Sequence, residues 1–523
     1  MERILWADDE IDLLKPHILF LKSKGYDVAT VTNGQDAAEA VSREHVDLVL
    51  LDENMPGLSG LETLDIISKA RPDLPVIMIT KSEEENIMNQ AIGSMIADYL
   101  IKPVNPSQIL LSIKKNLHSS ELVAAQASSS YQQEFQTLAS RINRAESIDD
   151  FYALYRQLVF WDLKLSQTDT SMDEMLAMQK RDANFNFVKF VKQNYEGWAA
   201  PLVSPGKAPA PGAEERPLMS PDIFKRRVFP ALDKGEKIFF ILIDNFRLDQ
   251  WRVVQPLLSD MFSVSEELYT TILPTSTQYA RNSIFAGLMP LQIARMFPKF
   301  WVEEDEDEGK NIYEEDLVRT QMERFRRKEQ FSYTKLNDSQ AAEKFLGRIR
   351  SLSQNELNVV VMNFIDMLSH ARTESKMIAE LANSDAAYRS ITESWFRHSN
   401  ALDIFRRIGE EGYKIILTTD HGTIRVDNPI KVVGDRNTNT NLRYKVGKNL
   451  NYNHKQVFEM LKPERFGLPM PNLSSVFIYA CNEDFFSYPN NYNYYVQYYT
   501  GTFQHGGISL EEMLVPLVTL TPR

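Results

Sequence analysis

Acidic residues and histidines follow several apolar segments in the C-terminal half of the chain. Residues 414–423, KIILTTDHGT, are typical of a buried strand that ends at an Asp–His pair and a glycine. Carboxylates and imidazoles at the C-terminal edge of a parallel sheet are favourable metal ligands. Their mixture suits Zn²⁺, although Mn²⁺ tolerates the same groups. The candidate ligands of this kind are Asp244, Asp366, His370, Asp420, His421 and His505.

The spacing of these residues adds one structural expectation. Asp366 and His370 stand four residues apart, so both face the same side if the chain is helical there. Between Asp244 and Asp366, residues 269–290, YTTILPTSTQYARNSIFAGLMP, predict a strand and then a helix start that carries hydroxyl groups. The first turn of a helix presents free amides and a partial positive charge, which suit a nucleophile that attacks a phosphate group.

A second group of chemically active side chains lies near the N-terminus. Asp8 and Asp9 follow one predicted strand and Asp52 follows another, while Thr80 and Lys102 follow two more. Converging carboxylates suit a hard divalent cation, and a nearby hydroxyl and ammonium group suit a bound phosphoryl group.

Strand and helix patterns divide the chain into regions that position these residues. Residues 1–118 alternate five short apolar runs with amphipathic stretches, which predicts a five-stranded, doubly wound parallel sheet. Residues 119–199 carry only helical stripes and predict a three-helix bundle, with Ser147 as a helix N-cap. Residues 200–221 are rich in proline and alanine, as in semi-rigid linkers, and residues 222–523 return to an α/β pattern.

Composition narrows the class of protein. The 523 residues carry a net charge of −13 and contain no apolar run of membrane-spanning length. We therefore expect a cytoplasmic protein without membrane insertion that is not a generic nucleic-acid binder. The lone Cys481 cannot form an internal disulfide. Since no helix-turn-helix pattern follows residue 118, direct operator binding is not expected.

With these residues in place, residues 1–118 resemble the receiver domain of two-component response regulators. The resemblance implies that Asp52 accepts a phosphoryl group. It also implies a Mg²⁺ site formed by Asp8, Asp9, Asp52 and the carbonyl of Asn54.

The same resemblance assigns roles to three further residues. It implies that Thr80 and Lys102 hold the phosphoryl oxygens and that Tyr99 is the aromatic switch residue. Lys81 departs from the family pattern, because receivers commonly carry a small residue there. We expect this long cation to affect the lifetime of the phosphoryl group.

Residues 222–523 resemble the alkaline-phosphatase superfamily and, within it, PglZ domains. The resemblance implies two zinc ions. One ion would be held by Asp366, His370 and His505, and the other by Asp244, Asp420 and His421. Two metal ions of this kind stabilise the attacking and leaving oxygens of an in-line displacement.

The nucleophile follows from the same resemblance. The segment Pro274-Thr-Ser-Thr matches the register of nucleotide pyrophosphatase/phosphodiesterase members, which implies that Thr277 is the nucleophile, while Thr271 and Thr275 remain alternatives. Arg281, four residues later, matches an arginine of the sulfatases and implies a catalytic role. A threonine nucleophile argues against sulfate ester hydrolysis, because sulfatases need a Cys or Ser.

Two further segments leave alternatives open. Seven aromatic residues lie in YPNNYNYYVQYYTGTF, residues 488–503, and either stack bases or form a strand or turn that packs on the sheet. A basic segment either closes over a phosphodiester or is a solvated loop. Its cations are Arg436, Arg443, Lys445, Lys448 and Lys455.

The order of receiver, helical bundle and PglZ domain resembles response regulators linked to type IX secretion in Bacteroidetes. This resemblance implies phosphorylation by a sensor histidine kinase, homodimerisation on phosphorylation, contact with an extracytoplasmic-function sigma factor and control of secretion genes. Two hypotheses follow. The chain is a phosphorylation-controlled zinc phosphodiesterase that acts on nucleotide or oligonucleotide phosphodiesters, or it is a catalytically silent, metal-stabilised platform for the sigma factor.

Overall fold

The structure is a computed structural model that describes most of the chain. The described residues are 2–80, 96–166, 172–203, 216–302, 311–374, 382, 384–435, 438–472 and 474–523, without the side chains of 119–124 and 370–374. Lys81, Arg436 and the side chain of His370 therefore lie outside the described residues. Two compact units are present, one reaching from the N-terminus to Ser130 and one formed by the described residues from Tyr131 onward.

The first unit contains the predicted five-stranded parallel sheet, with strand order β2–β1–β3–β4–β5. Its strands are β1 (Arg3–Ala7), β2 (Asp27–Val31), β3 (Leu48–Asp52), β4 (Val76–Thr80) and β5 (Asp98–Ile101). Its helices are α1 (Lys15–Ser23), α2 (Gly34–Arg43), α3 (Gly60–Ala70) and α4 (Pro106–Leu117).

Local signals and burial explain this arrangement. Strands β3 and β4 are buried along their whole length, and hydrophobic clusters cover both faces of the sheet. Asn33, Ser59 and Asn105 cap the helices that follow them, each accepting a hydrogen bond from the amide three residues on. Because the strands are parallel, their carboxyl ends meet at one edge of the sheet.

Three helices follow, as predicted: α5 (Ser119–Arg144), α6 (Ile148–Ser166) and α7 (Asp173–Val203). Ser147 caps α6, since its hydroxyl accepts a hydrogen bond from the amide of Asp150 at 3.2 Å. The core contains the buried ring of Phe151, whose centroid lies 5.2 Å from that of Phe187 and 4.9 Å from that of Phe190. Helix α7 runs four residues past the expected bundle end at residue 199.

Side chains of α7 complete hydrogen bonds of the C-terminal domain. The Asn184 carbonyl oxygen accepts from the amide of Leu510 at 2.7 Å, and the Tyr195 hydroxyl accepts from the amide of Leu273 at 2.7 Å. All four residues are buried. Of the predicted linker, residues 200–221, positions 204–215 lie outside the described residues, and the bundle and the C-terminal domain belong to one compact unit.

The C-terminal domain is built on a six-stranded sheet with order β7–β18–β10–β6–β9–β8, in which β18 runs antiparallel to its neighbours. The strands of this sheet are β6 (Ile238–Ile243), β7 (Phe262–Thr270), β8 (Phe331–Leu336), β9 (Leu357–Met362), β10 (Lys414–Thr418) and β18 (Leu514–Pro522). Strands β6 and β9 are fully buried, which explains their continuous apolar sequences.

Smaller sheets and helices surround it. The remaining strands are β11 (Ile424–Arg425), β12 (Asn428–Lys431), β13 (Tyr444–Gly447), β14 (Val457–Met460), β15 (Val476–Ala480), β16 (Asp484–Ser487) and β17 (Phe503–Gln504). They pair as β11–β17, β12–β16 and β13–β15–β14.

The helices of this domain pack around these sheets. They are α8 (Phe229–Asp233), α9 (Leu248–Val254), α10 (Thr277–Ala286), α11 (Pro290–Met296), α12 (Glu314–Arg324), α13 (Ser339–Arg348), α14 (Phe364–Glu374), α15 (Asp385–His398), α16 (Asn400–Glu410), α17 (Tyr492–Tyr499) and α18 (Leu510–Met513). Within the described part of the chain, no helix combines the length and apolarity needed to cross a membrane.

The bundle core yields a stability prediction. Replacing Phe151 with Ala removes a buried ring and leaves a cavity, so we expect the free energy of unfolding to fall by ~3–5 kcal/mol. Phe160→Ala, on the same helix but 54% exposed, is the matched control and should cost less than ~1 kcal/mol. Urea unfolding followed by circular dichroism measures both. Equal losses in the two variants would contradict the packing described here.

Candidate functional site

Four C-terminal residues meet at the carboxyl ends of β6 and β10. Asp244 follows β6, Asp420 and His421 follow β10, and Thr277 is the first residue of α10. Ligand atoms of the two aspartates and His421 all lie within 4.8 Å of one another. The Thr277 hydroxyl lies 3.1 Å from His421 Nε2 and 3.5 Å from Asp244 Oδ1. The structure therefore brings together one predicted ligand set and the predicted nucleophile.

Backbone carbonyls fix the orientation of two imidazoles. His421 Nδ1 lies 3.1 Å from the carbonyl of Gly422, and His505 Nδ1 lies 3.1 Å from that of Thr275. Because a carbonyl only accepts, each Nδ1 donates to it, which in the neutral imidazole makes Nε2 the nitrogen that offers a lone pair to a metal. The two rings are nearly parallel, with centroids 4.2 Å apart.

The second predicted ligand set is Asp366, His370 and His505, of which the structure describes the side chains of Asp366 and His505. His505 Nε2 lies 3.9 Å from Asp366 Oδ1. The backbone between Asp366 and His370 is helical, as their spacing required, because both belong to α14. The mixed carboxylate and imidazole donors of both sets fit zinc.

Asn245 connects the two ligand sets and was not identified from the sequence. Its side-chain nitrogen lies 3.4 Å from Asp366 Oδ1 and 3.3 Å from the Ser369 hydroxyl, while its backbone amide lies 3.4 Å from Asp420 Oδ1. Its φ of 60° is left-handed, a conformation that asparagine tolerates better than most residues. The one available signal was an asparagine directly after Asp244 at a strand end.

Arg281 compensates the charge of the buried carboxylates. Its guanidinium forms an ion pair with Asp244, lies 2.9 Å from Asp420 Oδ2 and lies 3.2 Å from Glu314 Oε1. Burial raises the pKa of Asp244. Burial also acts to raise the pKa of Asp420, but Arg281 and then His421 outweigh it and hold that pKa below its usual value. Arg281 thus contacts candidate ligands, a position suited to holding them in place.

The two alternative threonines have structural hydrogen bonds. The Thr271 hydroxyl donates to the carbonyl of Asp420 at 2.5 Å. The Thr275 hydroxyl donates to the carbonyl of Gly507 at 2.9 Å and accepts from the amide of Gly506 at 2.9 Å. Both are fully buried. Of the three candidate threonines, Thr277 is the one whose hydroxyl lies next to ligand atoms of Asp244 and His421.

A close backbone contact explains why a glycine, Gly422, follows Asp420 and His421. A Cβ at this position would lie 2.0 Å from the backbone carbonyl oxygen of Glu511. The chain after His421 passes so close to α18 that a side chain at residue 422 has no space.

The receiver site brings its predicted residues to one edge of the first sheet. Ligand atoms of Asp8, Asp9 and Asp52 cluster within 4.8 Å of one another, with Asp9 exposed. Lys102 Nζ lies 2.8 Å from Asp8 Oδ2 and 3.1 Å from Asp52 Oδ1. Three carboxylates fit Mg²⁺, which prefers oxygen ligands. Asn54 is exposed in the turn after β3.

Burial and neighbouring charges shift the titration of this site. Burial raises the pKa of Asp52, and Lys102 acts in the opposite direction. Burial acts to lower the pKa of Lys102, but hydrogen bonds to Asp8 and Asp52 raise it overall. Thr80 is buried at the end of β4, and burial raises the pKa of Tyr99 while a hydrogen bond to Thr80 opposes that shift.

Two cations of the basic segment, Arg443 and Lys445, are buried. At these positions the segment neither closes over a substrate nor forms a solvated loop. Arg443 is fully buried, with Nη2 2.6 Å from Glu512 Oε2. Lys445 is also buried; its ammonium donates to the carbonyl of Asn439 at 2.8 Å and lies 4.7 Å from the ring centroid of Tyr488. Periodicity within the segment gave no sign of these long-range partners.

The middle of the tyrosine-rich segment forms helix α17, Tyr492–Tyr499, whereas Phe503 at its end lies in strand β17. Tyr494, Tyr495 and Tyr498 are 63%, 39% and 41% exposed. Rings one helical turn apart lie nearly parallel, as in the Tyr494–Tyr498 pair with centroids 6.1 Å apart. The expectation that these rings pack against the sheet is wrong for the three exposed ones.

Three family models match the chain in succession. Residues 4–114 match the response regulator receiver domain, residues 121–199 match the PorX response regulator linker domain, and residues 223–520 match the BREX system PglZ alkaline phosphatase-like domain. Receiver and alkaline-phosphatase-like domains commonly bind metals.

Curated relatives are similar to the N-terminal part. The alkaline phosphatase synthesis transcriptional regulatory protein PhoP of Bacillus subtilis is 30% identical over 125 residues, which are 24% of this chain and 51% of the relative. The DNA-binding response regulator MtrA of Mycolicibacterium smegmatis is 29% identical over 120 residues, 23% of this chain and 52% of the relative. The matched part thus spans about half the length of these relatives.

Solved receiver structures are also similar to this part. The response regulator TrrA from Thermotoga maritima, in complex with Mg²⁺-BeF, is 32% identical and matches 22% of this chain and 100% of its own, with a TM-score of 0.21. A CheY-like receiver domain from Methanospirillum hungatei is 28% identical and matches 23% of this chain and 95% of its own, with a TM-score of 0.22.

The buried Lys445 gives a pH prediction. Burial lowers the pKa of its ammonium from 10.5 to about 7. Between these values the unfolded chain binds a proton that the folded chain lacks, so stability rises with pH by up to ~1.4 kcal/mol per pH unit. Urea unfolding from pH 7 to 9 should show a shallower rise for Lys445→Met than for the wild type. Lys455→Met, at an exposed position, should keep the wild-type slope. Parallel wild-type and Lys445→Met curves would contradict the shift.

Proposed function

Because the chain belongs to the PorX-like response regulators, which carry a PglZ alkaline-phosphatase-like output domain, we propose that it is a zinc-dependent phosphodiesterase controlled by phosphorylation at Asp52. The substrates we propose are nucleotide or oligonucleotide phosphodiesters. The observation that carries the proposal is the position of the Thr277 hydroxyl, 3.1 Å from His421 Nε2 and 3.5 Å from Asp244 Oδ1. A platform without catalysis has no need for a hydroxyl among candidate metal ligands.

The start of α10 suits an anionic substrate. Ser276 precedes the helix without a side-chain capping hydrogen bond. The amides of Tyr279 and Ala280 donate to the Ser276 carbonyl, so the amides of Thr277 and Gln278 are the ones we propose for a phosphate oxygen. Thr277 is the first residue of this ten-residue helix. Its oxygen would therefore meet the phosphorus atom of a group held by these amides.

The proposed reaction is an in-line displacement at phosphorus. The Thr277 oxygen forms a bond to phosphorus while the bond to the leaving oxygen breaks, and the hydroxyl proton passes by way of Asp244 Oδ1 to the leaving alcohol. Water then displaces the Thr277 oxygen from phosphorus in a second in-line step, which restores the Thr277 hydroxyl and releases the phosphate product. Zinc, when bound, would supply Lewis acidity that favours the Thr277 alkoxide and the departing oxygen. Asp244, Asp420 and His421 would hold one ion, and Asp366, His370 and His505 the other. Arg281 would hold Asp244 and Asp420 in position through its fixed, planar donors.

The input and partners complete the proposal. The receiver domain implies a cognate sensor kinase, which we propose is a histidine kinase that phosphorylates Asp52. Mg²⁺ would bind Asp8, Asp9, Asp52 and the Asn54 carbonyl, with Thr80, Tyr99 and Lys102 responding to the phosphoryl group. We further propose a cytoplasmic protein that dimerises on phosphorylation, contacts an extracytoplasmic-function sigma factor and regulates type IX secretion genes.

A second candidate function is a catalytically silent, metal-stabilised platform that binds the sigma factor. The observation that favours it is Arg281, whose ion pairs with Asp244 and Asp420 hold these candidate ligands together, as a structural metal site requires.

The nucleophile assignment is tested with a nitrophenyl phosphodiester. Thr277→Val removes the attacking oxygen, so zinc-dependent hydrolysis should fall at least ~1000-fold while zinc content stays at two ions per chain. Ser276→Ala removes the neighbouring hydroxyl, which makes no capping bond, and should keep most of the activity. Full activity in Thr277→Val would exclude Thr277. Absence of turnover of diesters, monoesters and short RNA by zinc-loaded wild type would favour the platform.

The switch is tested with beryllofluoride, which mimics a phosphoryl group on a carboxylate. With Mg²⁺ present, the molar mass from light scattering should rise from that of one chain to that of two. Asp52→Ala should not respond, because it lacks the acceptor carboxylate. Asp65→Ala, on an exposed carboxylate of the same domain, should respond like the wild type. A wild-type mass that stays constant would exclude dimerisation driven by phosphorylation.

A further inference from the structure

Six charged side chains form a closed ring between the bundle and the C-terminal domain. Around this charge ring, negative and positive groups alternate in the order Asp162, Lys180, Asp385, Arg247, Asp249 and Arg389. The bundle supplies two members, Asp162 from α6 and Lys180 from α7. Asp162 Oδ2 lies 3.1 Å from Lys180 Nζ and 3.1 Å from Arg389 Nη1.

The C-terminal domain closes the charge ring. Asp385 lies 4.0 Å from Lys180 and 2.7 Å from Arg247. Asp249 lies 2.6 Å from Arg247 and 3.1 Å from Arg389. Arg247, Asp249 and Arg389 are each at most 4% exposed. Asp162, Lys180 and Asp385 are half-buried. Removing the Asp162 carboxylate leaves the buried Arg389 with Asp249 as its remaining carboxylate partner in the charge ring, so its side chain must move or attract water.

Arg247 joins the charge ring to the segments that carry candidate metal ligands. It follows Asp244 by three residues. Its Nη1 lies 3.4 Å from the carbonyl of Thr423, just after His421. Its guanidinium carbon lies 5.7 Å from the ring centroid of Tyr388 and 5.3 Å from that of Phe503.

Tyr388 links the charge ring to the segments that hold Asp366 and His505. Its hydroxyl donates to the carbonyl of Ile365 at 3.1 Å, directly before Asp366. Its ring stacks on that of Phe503, two residues before His505, with centroids 4.5 Å apart and planes 20° apart. Asp385 and Arg389 lie three residues before and one after Tyr388 on α15, so the charge ring fixes the helix on which Tyr388 sits.

We propose that the bundle is an integral part of the two-metal site, because Asp162 and Lys180 complete a charge ring that positions the Asp366–His505 half of that site. The members of the charge ring and Tyr388 are then positioning residues for the second metal. This inference rests on the proposed function, since it assumes zinc at both ligand sets. It goes beyond that function by giving the bundle a direct role in metal binding.

The test measures zinc affinity in the full chain by titration against a chromophoric chelator. Asp162→Asn opens the charge ring from the bundle side. We expect one of the two zinc ions to bind ~10–100-fold more weakly and the other to bind as in the wild type. The weakened ion is assigned by comparison with His505→Ala, which removes a ligand of that half directly.

Two further variants separate positioning from general stability. Arg156→Gln removes another ion pair between bundle and C-terminal domain, to Glu266 at 3.3 Å, outside the charge ring, and should leave both zinc affinities unchanged. Tyr388→Phe keeps the ring stack and removes the hydrogen bond to Ile365, so it should weaken the same ion as Asp162→Asn by a smaller factor. If Asp162→Asn does not fold, Lys180→Gln opens the charge ring from the bundle side instead and should weaken the same ion.

The outcomes distinguish this inference from the proposed function. Unchanged zinc affinities in Asp162→Asn and Tyr388→Phe would overturn the inference and leave the phosphodiesterase intact. Two zinc ions with the predicted weakening, but no hydrolysis of any phosphoester, would overturn the phosphodiesterase and support the inference. A wild-type chain that binds no zinc would overturn both.

Discussion

Burying carboxylates close together is the constraint on which both candidate sites depend. A buried charge is costly unless a partner compensates it, and two like charges at one sheet edge repel each other. In the C-terminal domain, Arg281 is bound to both Asp244 and Asp420. In the receiver, Lys102 lies between Asp8 and Asp52. Each site thus contains a cation that allows its candidate metal-ligand side chains to remain together.

The two cations differ in a way that matches the two proposed roles. Lysine carries a compact charge on a flexible stem, whereas arginine presents rigid, planar donors. The Lys102 side chain is 12% exposed, which suits a change of partners in the proposed phosphorylated state of Asp52. Arg281 is enclosed, with a third carboxylate from Glu314 against it, and keeps one geometry. The proposed responsive site and the fixed site thus both place a cation among carboxylates.

Local patterns in the sequence predict the strands and helices but only some of the residues at the candidate sites. The strand ends at Asp52, Asp244 and Asp420 were readable because an apolar run followed by an acid marks the edge of a parallel sheet. Asn245 was missed because its role depends on contact with a residue more than a hundred positions away, Asp366.

Long-range contacts also explain the wrong expectations. Arg443 was expected at the surface because charged residues usually lie there, but Glu512 pairs with it inside the domain. Tyrosine and valine, which favour strands, make up most of Tyr492–Tyr499, and this stretch still folds as α17, since propensity is weaker than tertiary context. Nothing in a single sequence reveals which distant residue compensates a buried charge.

The hydrogen bonds between Asn184 and Leu510 and between Tyr195 and Leu273 bear on how such a chain evolves. Both side chains of α7 satisfy buried amides of the C-terminal domain, and a buried amide without a partner is costly. Recombination that joins this domain to a different upstream bundle would leave the amides of Leu510 and Leu273 without acceptors. We therefore expect the bundle and the C-terminal domain to stay together when such chains recombine, with fusion points upstream of the bundle rather than at the proline-rich segment after it.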